Sequence, residues 1–512
     1  MIEQTIRQRS GYSVPTLALF GILALAAVLR IIGSNSEFWF DEIATVINYV
    51  RAPALQTVTN YGGANNHVMN SLLAHAAAAI WGEQPWVIRL PSILFGIAGV
   101  WALYFLAVQI WERQIALLGT FMFAVSYHHV YYTENARGYS SFLFFALLSN
   151  ALLLRLIGSD VARPPRKSAG FLYAISVGLG IYALLLMFFV ILAQGCTLLW
   201  IKRWRQLGWL LAGTLFGLTL YAPMAPSLVR YFSEHPSYTG QPLFSAAFES
   251  EIRPVLIPLL AVSVAAPILM WRLARRQLAA ASLLFLPLVF TFLVPTLRHQ
   301  GVHPRSFIYG LPIAYFLLME GIDWVRPRFR WVPWITVAVV TVVSLVMLAR
   351  YYPLPKQAFQ QALKYVATHR GSTDDRIGLS MGGKAAQFYD PTWQLIEDST
   401  QLQQWLKTAD QPTWVMFTFE NSMRHESPEL CQWLMTSTTY QASFRGVIGD
   451  GTVYVRLWLP PRHEGGQPSD PDDAQQASSG NRQNFTIGNC TFSDSSKSAR
   501  ASLQPACAWE NH

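Results

Sequence analysis

The chain has 512 residues, 52% hydrophobic and only 13% charged, with a mean hydropathy of +0.27. Soluble domains carry about 25% charged residues, so the composition excludes an ordinary soluble protein and points to a polytopic membrane protein with some water-facing mass. The net charge of +9 does not mark a nucleic-acid binder: residues 1–350 hold 25 Lys/Arg against 13 Asp/Glu (+12), residues 351–512 hold 13 against 16 (−3), and membranes draw Lys and Arg to one side of the spans.

Eleven apolar segments read as spans, which ordinarily need about 20 residues each. They lie at roughly 14–32, 88–110, 114–128, 139–157, 170–184, 185–201, 207–225, 255–271, 278–296, 306–321 and 332–350. The first reads as a retained anchor rather than a cleaved leader. The fifth and sixth divide one run, Phe171–Trp200, that is too long for one ordinary helix and short for two. With eleven spans, the basic clusters at Arg7/Arg9, Arg113, Arg155–Lys167, Lys202–Arg205, Arg272–Arg276 and Arg326–Arg330 all fall on one side. That side is then cytoplasmic.

The other side receives the unusual polar groups. Ser36–Asn48, after the first span, places the acid pair Asp41-Glu42 in an aromatic frame of Phe38, Trp39 and Phe40. Carboxylates beside hydrocarbon are costly and usually have a partner or a task. Ile43, Val46, Ile47 and Val50 give Asp41–Val50 the spacing of an amphipathic helix, and Met69–Trp81 is a second helical stretch. Both suit helices lying at the interface. Between them, Gly62-Gly63 marks a turn and Asn65, Asn66 and His67 supply polar groups. Arg89, just before Pro91, reads as an interface anchor at the start of span two.

The loop Ser126–Ser141 carries His128, His129, Glu134 and Arg137. Guanidinium matches phosphate oxygens, so Arg137 suits a lipid phosphate; the alternative is a structural pair with Glu134. The stretch Arg298–Pro312 repeats the theme with Arg298, His299, His303 and Arg305. Adjacent histidines seldom share one ion, and Cys196, Cys431, Cys490 and Cys507 have no metal spacing.

From Lys356 the composition turns soluble. Lys356–His369 and Pro428–Thr436 read as helices, and Arg376–Ser380, Thr413–Phe419 and Val453–Leu459 as buried strands. Gly382-Gly383-Lys384 is too short for a phosphate loop. Three domains result: a membrane domain over 1–350, a small α/β domain over 351–460 that positions or covers the site, and a Ser/Gln/Pro-rich, disordered tail over 461–512.

The order of these motifs resembles a known family. Trp39-Phe40-Asp41-Glu42 follows span one, then Asn66-His67-Val68-Met69-Asn70, then Arg89-Leu90-Pro91-Ser92, then Tyr132-Thr133-Glu134-Asn135-Ala136-Arg137-Gly138-Tyr139, with His303-Pro304-Arg305 before a late span. This is similar to the GT-C membrane glycosyltransferases, specifically the dolichyl-phosphate-mannose-protein mannosyltransferase-like family 39 group and its bacterial relatives. It departs from the commoner His-Pro-Pro pattern at His67-Val68-Met69. The resemblance implies a mainly α, polytopic GT-C fold that moves a sugar from a polyprenyl-phosphate donor to a glycan, lipid or protein acceptor outside the cytoplasm, as in a bacterial plasma membrane.

The resemblance implies that Asp41 is the catalytic carboxylate. The chemistry suits it as a base for the acceptor hydroxyl, with Arg137 and Arg305, and Tyr139 beside them, at the leaving phosphate. Glu42 orients Asp41, raises its pKa, or helps hold a divalent cation; the three stay open. Asn66, His67, Glu134 and His303 complete the substrate site. The rival reading is a transporter or flippase of lipid-linked glycans, which would ordinarily show half-repeats and broken helices at mid-membrane.

Overall fold

The computed structural model describes residues 16–63, 65–158, 167–234, 256–297 and 304–461. The chain divides into two units, Met1–Pro460 and Pro461–His512; the elements below belong to the first. The tail expected over 461–512 lies, past Pro461, outside the described residues.

Each expected span meets a helix among the described residues, although the one expected from 306 starts only at Gly310. The first half contributes α1 (Thr16–Ile32), α2 (Phe40–Thr45), α3 (Ala54–Thr59), α4 (Val68–Trp81), α5 (Pro85–Ala107), α6 (Arg113–Val125), α7 (Tyr127–Thr133), α8 (Tyr139–Ile157), α9 (Lys167–Ala183), α10 (Met187–Trp200) and α11 (Trp204–Tyr221). Helices Leu256–Arg276, Leu278–Leu297, Gly310–Val325 and Val332–Tyr351 follow. Among the described residues, five helices are long and apolar enough to cross a membrane by length and composition: α5, α8, Trp204–Tyr231, Leu278–Leu297 and Val332–Tyr351. The Phe171–Trp200 run breaks at Leu184–Leu186, which gives α9 and α10. Large apolar side chains such as Leu17, Trp200, Leu215 and Val342 face outward, as helices surrounded by lipid tails require.

Small residues let these helices touch. Gly213 and Gly217 of α11 sit four apart against α9, where a Cβ on Gly213 would meet the Ala174 carbonyl oxygen at 2.4 Å. This is the close packing that membrane helices use in place of a hydrophobic drive. Ion pairs gather three of the basic segments at one end of the bundle. Arg326 pairs with Glu112 (2.7 Å), Arg272 with Glu320 (2.6 Å), and Arg276 with Asp323 (2.5 Å). From Trp111, just past α5 and bonded to Glu320, the helix runs back about 34 Å at 1.5 Å per residue toward Arg89 and the opposite end.

At that opposite end lies a five-stranded sheet: β1 (Asp375–Leu379), β2 (Gln394–Ile396), β3 (Thr413–Phe417), β4 (Thr438–Phe444) and β5 (Val453–Trp458), in the order β2-β1-β3-β5-β4. β1 is parallel to both β2 and β3, while β5 runs antiparallel to β3 and β4 to β5. Gly382 and Gly383 serve packing: a Cβ on Gly383 would lie 2.2 Å from the Gly378 oxygen, and one on Gly382 2.7 Å from Phe417 Cα. The helix expected from Lys356 begins at Phe359, because Lys356 and Gln357 are fully buried and spend their side chains on other segments.

One apolar core joins this layer to the first loop. Phe38, Ile43, Val46, Val50, Ala74 and Ile88 pack with Phe359, Trp393, Trp414, Met416 and Val453. The apolar face of α2 and its continuation is therefore spent largely on the α/β layer, and Ile47 alone of the four expected apolar positions is exposed.

Candidate active site

Asp41 and Glu42 lie in the first turn of α2, where the helix dipole favours anions. Neighbours on a helix project about 100° apart, so the two acids go to different places. Glu42 turns inward. Arg89 donates to it twice, Nε to Oε1 at 2.8 Å and Nη2 to Oε2 at 2.5 Å, and the Ala136 N–H donates at 2.9 Å. Burial pushes the Glu42 carboxyl up, but Arg89, Lys356 and these hydrogen bonds outweigh it and hold the group below the usual carboxylate range. Arg89 is no interface anchor: it is fully buried and also donates to the carbonyls of Ser34, Ser36 and Glu37 at 2.9, 2.7 and 3.1 Å. Glu42 thus fixes the frame, and Asp41 is left at the rim.

Asp41 pairs directly with the Arg137 guanidinium, and Arg305 Nη1 lies 3.9 Å from the same oxygen. Arg137 is nearly buried, whereas the Arg305 side chain is 44% exposed. Arg137 also donates from Nε to His67 Nε2 at 3.1 Å and lies over the Tyr139 ring, 5.2 Å from its centre. Arg137 therefore belongs to Asp41 and not to Glu134. His67, at the start of α4, is held well below its ordinary pKa, first by burial and then by Arg137 and Arg305. It is the neutral imidazole, with Nε2 accepting and the proton on Nδ1.

The remaining expected residues are placed as follows. Tyr139 forms the wall behind Arg137 and His67, its ring 5.4 Å from the imidazole. Asn66 is buried and spends its amide N–H groups on the carbonyls of Thr57 and Asn60 at 3.4 and 3.1 Å, which pins the loop. Glu134 is buried beneath the rim, where its carboxyl fills the space against Gly33. Burial pushes it up to about 7 against the pull of Lys356, Tyr351, Arg89 and Arg30. His303 and Arg298 lie outside the described residues. His129 stacks on Phe123 at 4.0 Å and meets Arg30 at 2.7 Å, a packing role.

Two residues escaped the sequence reading. Lys356 donates to the Glu134 carbonyl and, at 3.2 Å, to Asn135 Oδ1; burial brings its ammonium down to about 8. Gln357 bonds the Phe40 N–H at 2.8 Å. Their only signal is position, directly after the last span on the side that carries the acids. A divalent ion between Asp41 and Glu42 does not fit this donor set. Arg89 engages both oxygens of Glu42, Arg137 and Arg305 face Asp41, and no group of three His, Cys, Asp or Glu side chains converges among the described residues.

The fold is similar to solved structures. One is ArnT from Cupriavidus metallidurans bound to undecaprenyl phosphate, with a TM-score of 0.56 at 14% identity, covering 87% of this chain and 98% of that one. Another is the archaeal oligosaccharyltransferase AglB from Archaeoglobus fulgidus in complex with an inhibitory peptide and a dolichol-phosphate, with a TM-score of 0.52 at 11% identity, covering 85% and 74%. Residues 66–226 match the family model described as dolichyl-phosphate-mannose-protein mannosyltransferase. The chain shares the fold of ArnT and AglB. The stretch matched by the family model includes His67, Arg89, Glu134, Arg137 and Tyr139, while Asp41, Glu42, Arg305 and Lys356 lie outside it. No curated protein matches the chain in sequence.

Proposed function

We propose that the chain is a GT-C membrane glycosyltransferase that moves a sugar, with inversion, from a polyprenyl-phosphate donor to an acceptor hydroxyl on a glycan, lipid or protein, at the extracytoplasmic face of a membrane such as a bacterial plasma membrane. Asp41 is the base, Arg137 and Arg305 hold the donor phosphate, and residues 351–460 form a small outer α/β domain that packs on the first loop of the membrane domain 1–350. The observation that carries this reading is the Asp41 carboxylate set between two guanidinium groups from distant loops. ArnT bound to undecaprenyl phosphate and AglB with a dolichol-phosphate support a lipid phosphate as the ligand. The basic segments gathered at the far end of the bundle support the outward orientation.

The entering phosphate competes with Asp41 for Arg137 and Arg305. As they turn to the phosphate, the carboxylate is freed to face the acceptor. The acceptor oxygen then attacks the anomeric carbon, its proton passes to Asp41, and the anomeric C–O bond breaks with its electron pair going to the phosphate oxygen. The two arginines stabilise that charge as it develops. Neutral His67 keeps Arg137 oriented through Nε. Asp41→Asn removes the proton acceptor and keeps the shape.

The test uses the purified full chain with a panel of undecaprenyl-phosphate-linked hexoses and pentoses and follows release of undecaprenyl phosphate. Asp41→Asn is expected to lower turnover by about 10²–10⁴-fold with undecaprenyl phosphate binding kept. Near-normal turnover in that variant removes Asp41 as base. A transporter would move the lipid without releasing its phosphate.

A further inference from the structure

The first turn of α2 has no cap of its own. Trp39 stands at its N-cap and makes no side-chain cap bond, so the Phe40 N–H is one of the donors that a helix start leaves open. Its acceptor is Gln357 Oε1 at 2.8 Å, 317 residues further along the chain. The other end of that amide is equally committed. Nε2 donates to Thr418 Oγ1 and to the Gly451 carbonyl, both at 3.2 Å. With oxygen and nitrogen both engaged, the amide has one satisfactory orientation, and that orientation fixes where α2 begins.

The place where this happens has a general meaning. In open α/β sheets, ligands bind outside the carboxyl ends of the strands, where the strand order reverses. Here β1 continues to β2 on one side and to β3 on the other, so the reversal lies between β1 and β3. Thr418 and Phe419 directly follow β3, and Phe419 takes φ 55°, which turns the chain sharply there. The Phe40 ring meets Phe419 edge-on at 6.0 Å. Two further bonds flank the contact: Tyr389 Oη donates to the Phe38 carbonyl at 3.1 Å, and the Gln360 N–H to Glu37 Oε2 at 2.8 Å.

We propose that Gln357 is a positioning residue for Asp41, and that the α/β layer uses the place where its strand order reverses to hold the helix turn that carries the base. Asp41 is the residue next to Phe40, so release of the Phe40 amide lets the carboxylate leave the line between the guanidinium groups and the acceptor. The proposal rests on the reading of Asp41 as base.

The test pairs turnover with hydrogen exchange in the full-length protein. Gln357→Met keeps the volume and removes the bonds. It is expected to lower kcat by about ten- to a hundredfold with KM for the lipid-linked sugar within about twofold, as a misplaced group does, and to speed amide exchange over residues 38–43 by about tenfold. Binding of undecaprenyl phosphate stays unchanged. Gln357→Glu retains an oxygen toward Phe40 but sets its second oxygen against the Gly451 carbonyl, so it is expected to restore exchange protection and turnover only in part. If Gln357→Met does not fold, Thr418→Val, which loosens the amide and leaves Phe40 untouched, is expected to move exchange and kcat in the same direction by a smaller factor. Unchanged exchange over 38–43 in the folded variant overturns the proposal, as does a loss of turnover that matches a loss of undecaprenyl phosphate binding. If the unsubstituted protein itself releases no undecaprenyl phosphate, the transfer reading falls, and exchange alone decides the clamp.

Discussion

Arg89 and Glu42 form a bidentate pair in which neither side chain reaches solvent. Removal of one partner leaves a buried charge without its counter-ion, which costs about 3–5 kcal/mol. Arg89→Met and Glu42→Gln are each expected to lower the thermal unfolding midpoint in detergent sharply. Arg89→Lys rescues little, because a point charge cannot replace the planar fork. The double variant Arg89→Met/Glu42→Leu is expected to be more stable than Arg89→Met, and thermal unfolding of the series checks this.

The two arginines at Asp41 differ in burial, so their removal has different consequences. Arg137→Ala takes partners from both Asp41 and His67 inside the protein. It is expected to reduce turnover by about 10²–10³-fold and to lower stability as well. Arg305 is half exposed and 3.9 Å away. Arg305→Ala is expected to weaken undecaprenyl phosphate binding by about tenfold, the scale of one charge-assisted hydrogen bond, with the unfolding midpoint unmoved. Lipid binding and thermal unfolding on both variants separate the two roles.

Glu134 gives the fold a pH dependence. Its carboxyl is raised from 4.5 to about 7, mainly by burial, so between those values the folded protein holds a proton that the unfolded chain releases. A raised acid contributes stability that is full below 4.5 and is lost as pH rises through about 7. Glu134→Gln carries no such proton. Stability measured from pH 4.5 to 8 is expected to fall more steeply with rising pH in the parent than in Glu134→Gln, and parallel curves would remove Glu134 as the source.

The helices of the bundle were legible because lipid imposes a simple rule on long apolar runs, and the basic clusters then decided the split of Phe171–Trp200 into α9 and α10. The pairs Arg326–Glu112 and Arg276–Asp323 show three of those clusters meeting at one end. The meeting of Asp41, Arg137 and Arg305 was legible for the same reason, since all three sit in loops assigned to one side. The partner of Glu42 was not. Arg89 lies 47 residues away in a helix whose apolar pattern conceals it. Strands β2 and β4 were also missed: β2 has three residues, and β4 is a largely solvent-facing edge strand, TTYQASF, without the apolar alternation that marks a half-buried strand. Hydrogen bonds between distant segments, such as Phe40 to Gln357, leave no periodic trace at all.

That last bond has a consequence for how the protein is made. Helix α2 leaves the ribosome early, and its cap is 317 residues behind it. At about 5–20 residues per second, the first loop waits on the order of a quarter of a minute to a minute for Gln357 to be synthesised and folded. Throughout that interval the first turn of the newborn α2 is uncapped, and a message cut short before residue 357 yields a chain in which the Phe40 amide never meets its acceptor.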